Sequence, residues 1–579
     1  MPDQSQTSPS AFVCEGGLVK SRSTFIMQPG QALELLNFEP DIEGGYRRIN
    51  GFRKFVNHVV PYTSADSEKV LMTAFFNNNI LAARGEKIFS SASTELSTKI
   101  LQATGMTGSG TITVDSTTGF SSSGTLQINS EIFTYTGVTS TTFTGVTRAT
   151  SSTTAAAHAV DDAVSESWTE RDTGRTSASK YAFERFNFDG NDKIIVVDGV
   201  NDPTVFNTSL AATDVTESSV EGSKFVTAFK SHMFYAGKST TPQELIFSEP
   251  FDEDGFQSAD GAGSIKVDDT IVGLKVFRSN LFIFCANRIF KLTGSSLANF
   301  AVEPVTRNIG CINGDTIQEF AGDLIFLGPD GLRTVAGTAR IGDVELGTIS
   351  KNVQSLFDKN IRDSSLFESV VIPDKTQYRI FFTKDTVADN LTRGIVCVMR
   401  GDNYEFSEIL GIRPSCTDTF IDAGDVTVLH GSFDGFVHRQ EKGNTFNETV
   451  IFGRYRSPDL NFGDSGIRKH MQRVILNFKP EAAIDADLFL RYDNESVDSP
   501  RPAAYALDTS KIAAQYGSAT YSTSSSTTQF VYGGGTQPLL RQSVEGSGFT
   551  VALKVDDGGE TAPYSLKGFQ LEYQLGARR

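Results

Sequence analysis

The sequence predicts an all-β chain: a β-propeller of six or seven blades without a WD signature, a small β-domain inserted into it, and a C-terminal β-sandwich. Three observations lead there. The composition, with 52 Gly, 44 Phe and 15 Tyr against 7 Met and one Trp in 579 residues, favours strand and turn formers over helix formers. Apolar and polar residues alternate with period two, as in residues 111–115, 125–129 and 549–555. Finally, one unit recurs: an apolar strand, a tight polar turn and a second strand.

Clear copies of that unit occupy residues 80–90, 194–207, 281–294, 324–337 and 427–440. Looser ones start at His232, followed by Glu244, and at Tyr378, followed by Gly394. From residue 194 onward the copies begin about 40 to 55 residues apart, the size of a four-stranded blade. A small sheet apolar on both faces must bury each face on a neighbour, so such sheets stack around an axis. Unrelated hairpins in β-sandwiches would give a similar strand-turn-strand pattern.

The first two copies stand about 114 residues apart because residues 104–165 are a Ser/Thr-rich insertion. It alternates like a folded domain, with Ile112, Val114, Leu126, Ile128, Phe133, Tyr135, Phe143 and Val146 as its expected core. The expected organisation is an extended lead-in (1–65), a propeller (66–103 and 166–447), the inserted module (104–165) and a β-sandwich (448–579) ending in the basic pair Arg578-Arg579. The clearest helix signal is short: Ile349, Val353, Leu356 and Phe357 form one apolar stripe.

Charge and motifs narrow the function. The 52 basic and 69 acidic residues give a net charge of −17, which argues against electrostatic gripping of nucleic acid. It leaves room for a surface past which DNA slides. Five widely spaced cysteines (Cys14, Cys285, Cys311, Cys397 and Cys416) contain no CxxC pair and read as buried thiols. No apolar run reaches the ~20 residues needed to span a bilayer, and the N-terminus has no basic and apolar signal pattern. The motifs G-x-S-x-G, HExxH and GxxxxGK[ST] are absent, so the chain is expected to be neither an enzyme nor a binder of a metal or other cofactor.

The acidic loop Asp252, Glu253, Asp254 fails the EF-hand spacing and reads as a solvated loop or a Ca²⁺ contact. Residues 189–192 read as a hairpin turn. His430 and His438 flank another hairpin turn and lack a third metal ligand. Two short basic patches are Arg47, Arg48, Arg53, Lys54 and residues 468–470. The first either pairs with acidic neighbours or docks an acidic partner subunit.

The stretch LNFEPDIEGGYRRINGFRKF (36–55) resembles the start of tail nozzle (tail hub, tail tubular) proteins of short-tailed bacteriophages. The likeness continues in LIFLGPDGLRTVAG (324–337) followed by LGTISKNVQSLF (346–357), and in the terminal LKGFQLEYQLGARR (566–579). The insertion resembles a small β-module of phage tail and baseplate proteins. The resemblance implies a structural virion protein made in the host cytoplasm, assembled as a ring of about six copies below portal and adaptor. Such a ring extends the DNA-ejection channel, anchors fibres or spikes, and has a needle as a further partner. An assembly this acidic would let DNA pass without binding it. Two rival readings stay open: a carbohydrate-binding or carbohydrate-cleaving propeller, and a trimeric fibre or baseplate component.

Overall fold

A computed structural model describes residues 8–61, 69–92, 97–102, 108, 110–150, 153–176, 180–335, 348–384, 392–401, 403–422, 424–481, 484–499, 501–508 and 539–578. The Ser/Thr-rich stretch 517–528, Gly337, Leu346, Gly347 and Arg579 lie outside them. Contacts divide the chain into two units. One comprises Met1–Arg53, Gln318–Arg413 and Gln440–Arg579, and the other Lys54–Ile317 and Pro414–Arg439.

The second unit carries successive antiparallel four-stranded sheets. Met72–Phe76, Asn79–Arg84 and Lys87–Ala92 are joined by Thr169–Asp172, which follows the insertion. Next come Ala182–Phe186, Lys193–Val197, Thr204–Phe206 and Ala212–Asp214, then Phe225–Phe229, His232–Ala236, Glu244–Phe247 and Gly263–Lys266. A fourth sheet is formed by Ile271–Phe277, Asn280–Cys285, Ile289–Thr293 and Ala301–Thr306. The last blade in sequence, with Pro414–Asp422 and Asp425–Ser432, packs on the first: Phe420 stacks on Phe75 with centroids 4.0 Å apart.

The packing explains why the repeat was visible. Ile194 and Val196 join the core shared with the first sheet, while Ile195 and Val197 join the core shared with the third. In the third sheet, Met233 and Tyr235 face back while Phe234 and Ala236 face forward. A strand buried on both faces reads as a continuous apolar run. Every repeat copy is therefore the hairpin of the second and third strands of a sheet, and there are seven such sheets among the described residues. The fold is a β-propeller of this non-WD type.

A second repeat escaped the sequence reading. Four first strands end in Phe followed by a two-residue turn: Phe76 with Asn77-Asn78, Phe229 with Lys230-Ser231, Phe277 with Arg278-Ser279, and Phe320 with Ala321-Gly322. Both turn residues have positive φ in every case, as a type I′ hairpin demands. Three of the four turns meet that demand without glycine.

The insertion folds around its own core. All eight expected residues are buried, joined by Ile100 and Val164. It reaches slightly beyond 104–165, because the entering strand Ser97–Lys99 pairs with the leaving strand Ala163–Glu166. All five cysteines are buried and none forms a disulfide.

In the first unit, the fifth blade (Gln318–Phe320, Asp323–Gly328, Gly331–Thr334) precedes the helix Gln354–Asp363, which buries Phe357 and Asn360. The sixth blade runs Leu366–Ile372, Gln377–Thr383, Arg393–Arg400 and Asn403–Leu410. Its sheet continues through Glu34–Leu36 into Gly453–Arg456, Val551–Asp557, Asp485–Tyr492 and Tyr505–Asp508, giving nine strands. A facing sheet contains Phe38–Pro40, Tyr46–Arg48, Ile467–Pro480 and Tyr564–Arg578. Tyr455 contacts Tyr46 and Phe569 across the two layers, with centroids 5.5 and 6.5 Å apart. The C-terminal sandwich thus takes strands from residues 8–48, since Ser8–Val13 and Tyr46–Arg48 both pair with Tyr564–Arg578.

Candidate functional site

The polar groups of the first unit converge on residues 34–52. Glu34–Leu36 pairs antiparallel with Gly453–Arg456 and parallel with Asn403–Leu410. Buried Asn37, at φ 53°, secures this junction: Nδ2 donates to the Leu410 and Phe452 carbonyls (3.0 and 2.8 Å), and Oδ1 accepts from the Leu410 N–H at 2.9 Å. A side chain satisfying three backbone groups at once fixes the meeting of blade and sandwich.

The turn after Pro40 brings the two ends of the chain together. Asp41 accepts from Ser565 Oγ (2.7 Å) and Lys567 Nζ (3.0 Å). Those contacts hold its carboxyl below the usual range, although burial pushes it up. Gly45, at φ 91°, lies so close to the last strand that a Cβ would stand 2.6 Å from the Leu566 carbonyl oxygen.

Glu39 is buried at the centre of an ion network. It accepts from Lys375 Nζ (2.6 Å), Gln377 Nε2 (3.1 Å) and Arg379 Nη2 (3.1 Å). Glu441 accepts from Arg379 (2.6 Å), Lys375 (2.5 Å) and Asn50 (2.8 Å). Burial raises the Glu441 pKa, but Arg379 and Lys375 outweigh it and hold the carboxyl well below its ordinary value.

The expected basic patch does not form one surface. Arg47 and Arg48 are consecutive in a strand and point to opposite faces. Arg47 makes a bidentate pair with Glu481 (2.7 and 2.9 Å) and contacts Glu39 at 3.4 Å. Arg48 is fully enclosed, paired with Asp557 at 2.9 Å and donating to the Gly559 and Thr561 carbonyls. It offers no face to a partner, which corrects the docking expectation for this residue. Arg53 is exposed, and in the other unit Lys54 sits 4.1 Å above the Phe436 ring.

The remaining candidates lie in the second unit. Glu253 is taken by Lys193 at 2.7 Å. A hydrogen bond with Asp252, helped by burial, raises the Asp254 carboxyl to about 6. Residues 189–192 form the expected turn between Ala182–Phe186 and Lys193–Val197. His430 and His438 face each other across a strand pair, stacked 4.9 Å apart, and burial lowers both pKa values. Among the described residues no group of three or more His, Cys, Asp or Glu side chains is placed to hold a metal ion. On the first strands, Arg185 pairs with Asp418 at 2.5 Å, and Lys275 acts on Glu184 through charge.

Sequence reasoning missed Asn37, Glu39, Arg379, Lys375 and Glu441 as a group. They are up to 404 positions apart, from 37 to 441, so no local spacing reveals them. The one available signal was Glu39 standing between Phe38 and Pro40 in a strand that is buried throughout.

No family model and no curated protein matches the chain. Among solved structures, it is similar to the N-terminal domain of Nup159 (12% identity, TM-score 0.30, covering 44% of this chain and 71% of that one). It is also similar to Kluyveromyces lactis Hsv2 (9%, 0.27, covering 59% and 97%). A third is an exo-β-1,3-galactanase variant from Phanerochaete chrysosporium in complex with β-1,3-galactotriose (10%, 0.23, covering 78% and 95%). Likenesses of this size carry no argument about function.

Proposed function

We propose that the chain is a structural virion protein: the nozzle or hub subunit of a short phage tail, forming a ring below portal and adaptor and anchoring fibres or spikes. One observation carries this reading. The segments that resemble nozzle proteins are the ones the first unit uses to hold itself together. Residues 36–55 supply Asn37, Glu39, Asp41 and Arg48, and the terminal segment 566–579 receives Asp41 through Lys567. In 324–337 with 346–357, Leu332 N–H is capped by Ser350 Oγ (3.1 Å), and Gln354 donates to the Asp330 carbonyl at 2.6 Å.

Charged side chains spent on internal pairs suit a rigid subunit under load better than a site that must bind and release. The net charge of −17 supports passage of DNA without adhesion, multiplied over a ring. The inserted module, with its own core, has the makeup of an outward knob.

The test is quantitative peptide mass spectrometry on density-purified phage particles from the source culture. A nozzle ring requires this chain at roughly one-hundredth or a few hundredths of the capsid protein's copy number, the ratio of a small ring to a shell of several hundred subunits. Absence from particles, with the chain free in the lysate, would overturn the proposal.

A further inference from the structure

A cavity of about 480 Å³ opens in the first unit, between the Gly16-Gly17 turn and the hairpin joining Arg393–Arg400 to Asn403–Leu410. That volume is ordinary for a small-molecule site, and its lining is mostly polar. Its inner end is Glu405, 6% exposed. Oε1 accepts from the Gly16 N–H at 3.1 Å and lies 3.5 Å from Arg400 Nη1, whereas Oε2 is buried with no hydrogen-bond partner.

The approach to Glu405 is built. Gly16 has φ 88°, and a Cβ there would stand 2.9 Å from Gln31 Cγ, so only glycine brings this amide to the carboxylate. Gln31 is itself pinned, with Oε1 accepting from the Gln28 N–H at 3.0 Å, which leaves its amide nitrogen for the cavity. Asn352 and Asn403 add amides, and half-buried Tyr404 adds a ring.

The lining also selects. Among the described lining residues, Glu15 and Glu405 stand against the cation Arg400, which disfavours anions. The guanidinium beside Glu405 disfavours a metal ion or an ammonium group. Alternating donors and acceptors beside one aromatic ring suit a ligand that carries hydroxyls as both. Burial, with Glu15 adding to it, raises the Glu405 pKa more than Gly16 and Arg400 lower it, as expected of a carboxylate short of donors.

We infer that this cavity binds a neutral saccharide unit, whose hydroxyls donate to Glu405 and accept from Arg400. The inference concerns binding alone and stands independently of the nozzle reading.

The experiment uses the full chain on a glycan array of neutral hexoses, N-acetylhexosamines, their disaccharides and acidic glycans, followed by calorimetry on the hits. The expected result is saturable binding of neutral glycans. Affinity should fall about tenfold or more in Glu405→Gln and in Arg400→Met, the loss of one charge-assisted hydrogen bond. A smaller loss is expected in Asn403→Ala. If Glu405→Gln does not fold, the Arg400 and Asn403 variants decide, since both residues lie on the rim of the cavity. Binding of acidic glycans alone, no neutral glycan bound, or affinity unchanged in the variants would overturn the inference.

Discussion

Protonating or replacing Glu131 should unlock the inserted module. Its carboxylate is fully buried and accepts from Arg148 Nε (2.9 Å) and Nη2 (2.7 Å), and from the Ala149 and Ala156 amides (3.2 and 2.8 Å). His158 Nε2 lies 2.9 Å away. Burial alone would raise the pKa; the Arg148 pair, the Ala156 amide and His158 overcome it and bring the value from 4.5 down to about 2. At about 1.36 kcal/mol per pH unit, that drop corresponds to ~3.4 kcal/mol. Its partner Arg148 is partly exposed, so solvent screening leaves roughly 2 kcal/mol. The folded pKa is depressed, so this stability is present above pH 4.5 and is lost as the pH falls toward 2. Glu131→Gln should cost a similar amount at neutral pH, because its amide turns N–H groups toward donors. Hydrogen exchange read by mass spectrometry over residues 110–166 measures both. Protection should fall between pH 4.5 and 2 in the native chain and already be low in Glu131→Gln at pH 7. Equal protection of the two proteins at pH 7, or none lost on acidification, would refute the reasoning.

Other substitutions probe the scaffold. Lys230→Asn with Ser231→Gly replaces two residues at φ 50° and 63° with turn residues that prefer them, and should stabilise by roughly 1–2 kcal/mol in thermal unfolding. Arg48→Met or Asp557→Leu alone leaves a buried charge unpaired and should cost about 3–5 kcal/mol, while the double variant should recover most of it. A denaturant double-mutant cycle reads that coupling, and purely additive costs would contradict the buried-pair account. Gly51→Ala would set a Cβ 1.9 Å from the Thr445 carbonyl oxygen, so a loss of roughly 2–3 kcal/mol is expected in the same denaturation.

The fold was legible where burial is two-sided. Strands such as Lys193–Val197 and His232–Ala236 lie between two sheets, so their apolar runs mark the blades directly. The insertion was equally open to reading, because its strands alternate and pack around one local core. The first strands of the blades were less visible: their signal is a terminal Phe and a turn whose positive φ is imposed by the hairpin on residues such as Lys230 and Arg278. The Asn37 and Glu39 hub was hidden, since its members become neighbours only after the lead-in has joined the nine-stranded sheet. Arg47 and Arg48 show the same limit: adjacency in sequence reads as a patch, and a strand sends the two to opposite sides.

The nozzle account is tested most directly by cryo-electron microscopy of the tails of purified particles, with this chain fitted to the density. The account predicts a ring of about six copies around the DNA path below the adaptor. Tails whose density is filled without this chain, or that carry it as an elongated trimer in a fibre, would contradict it.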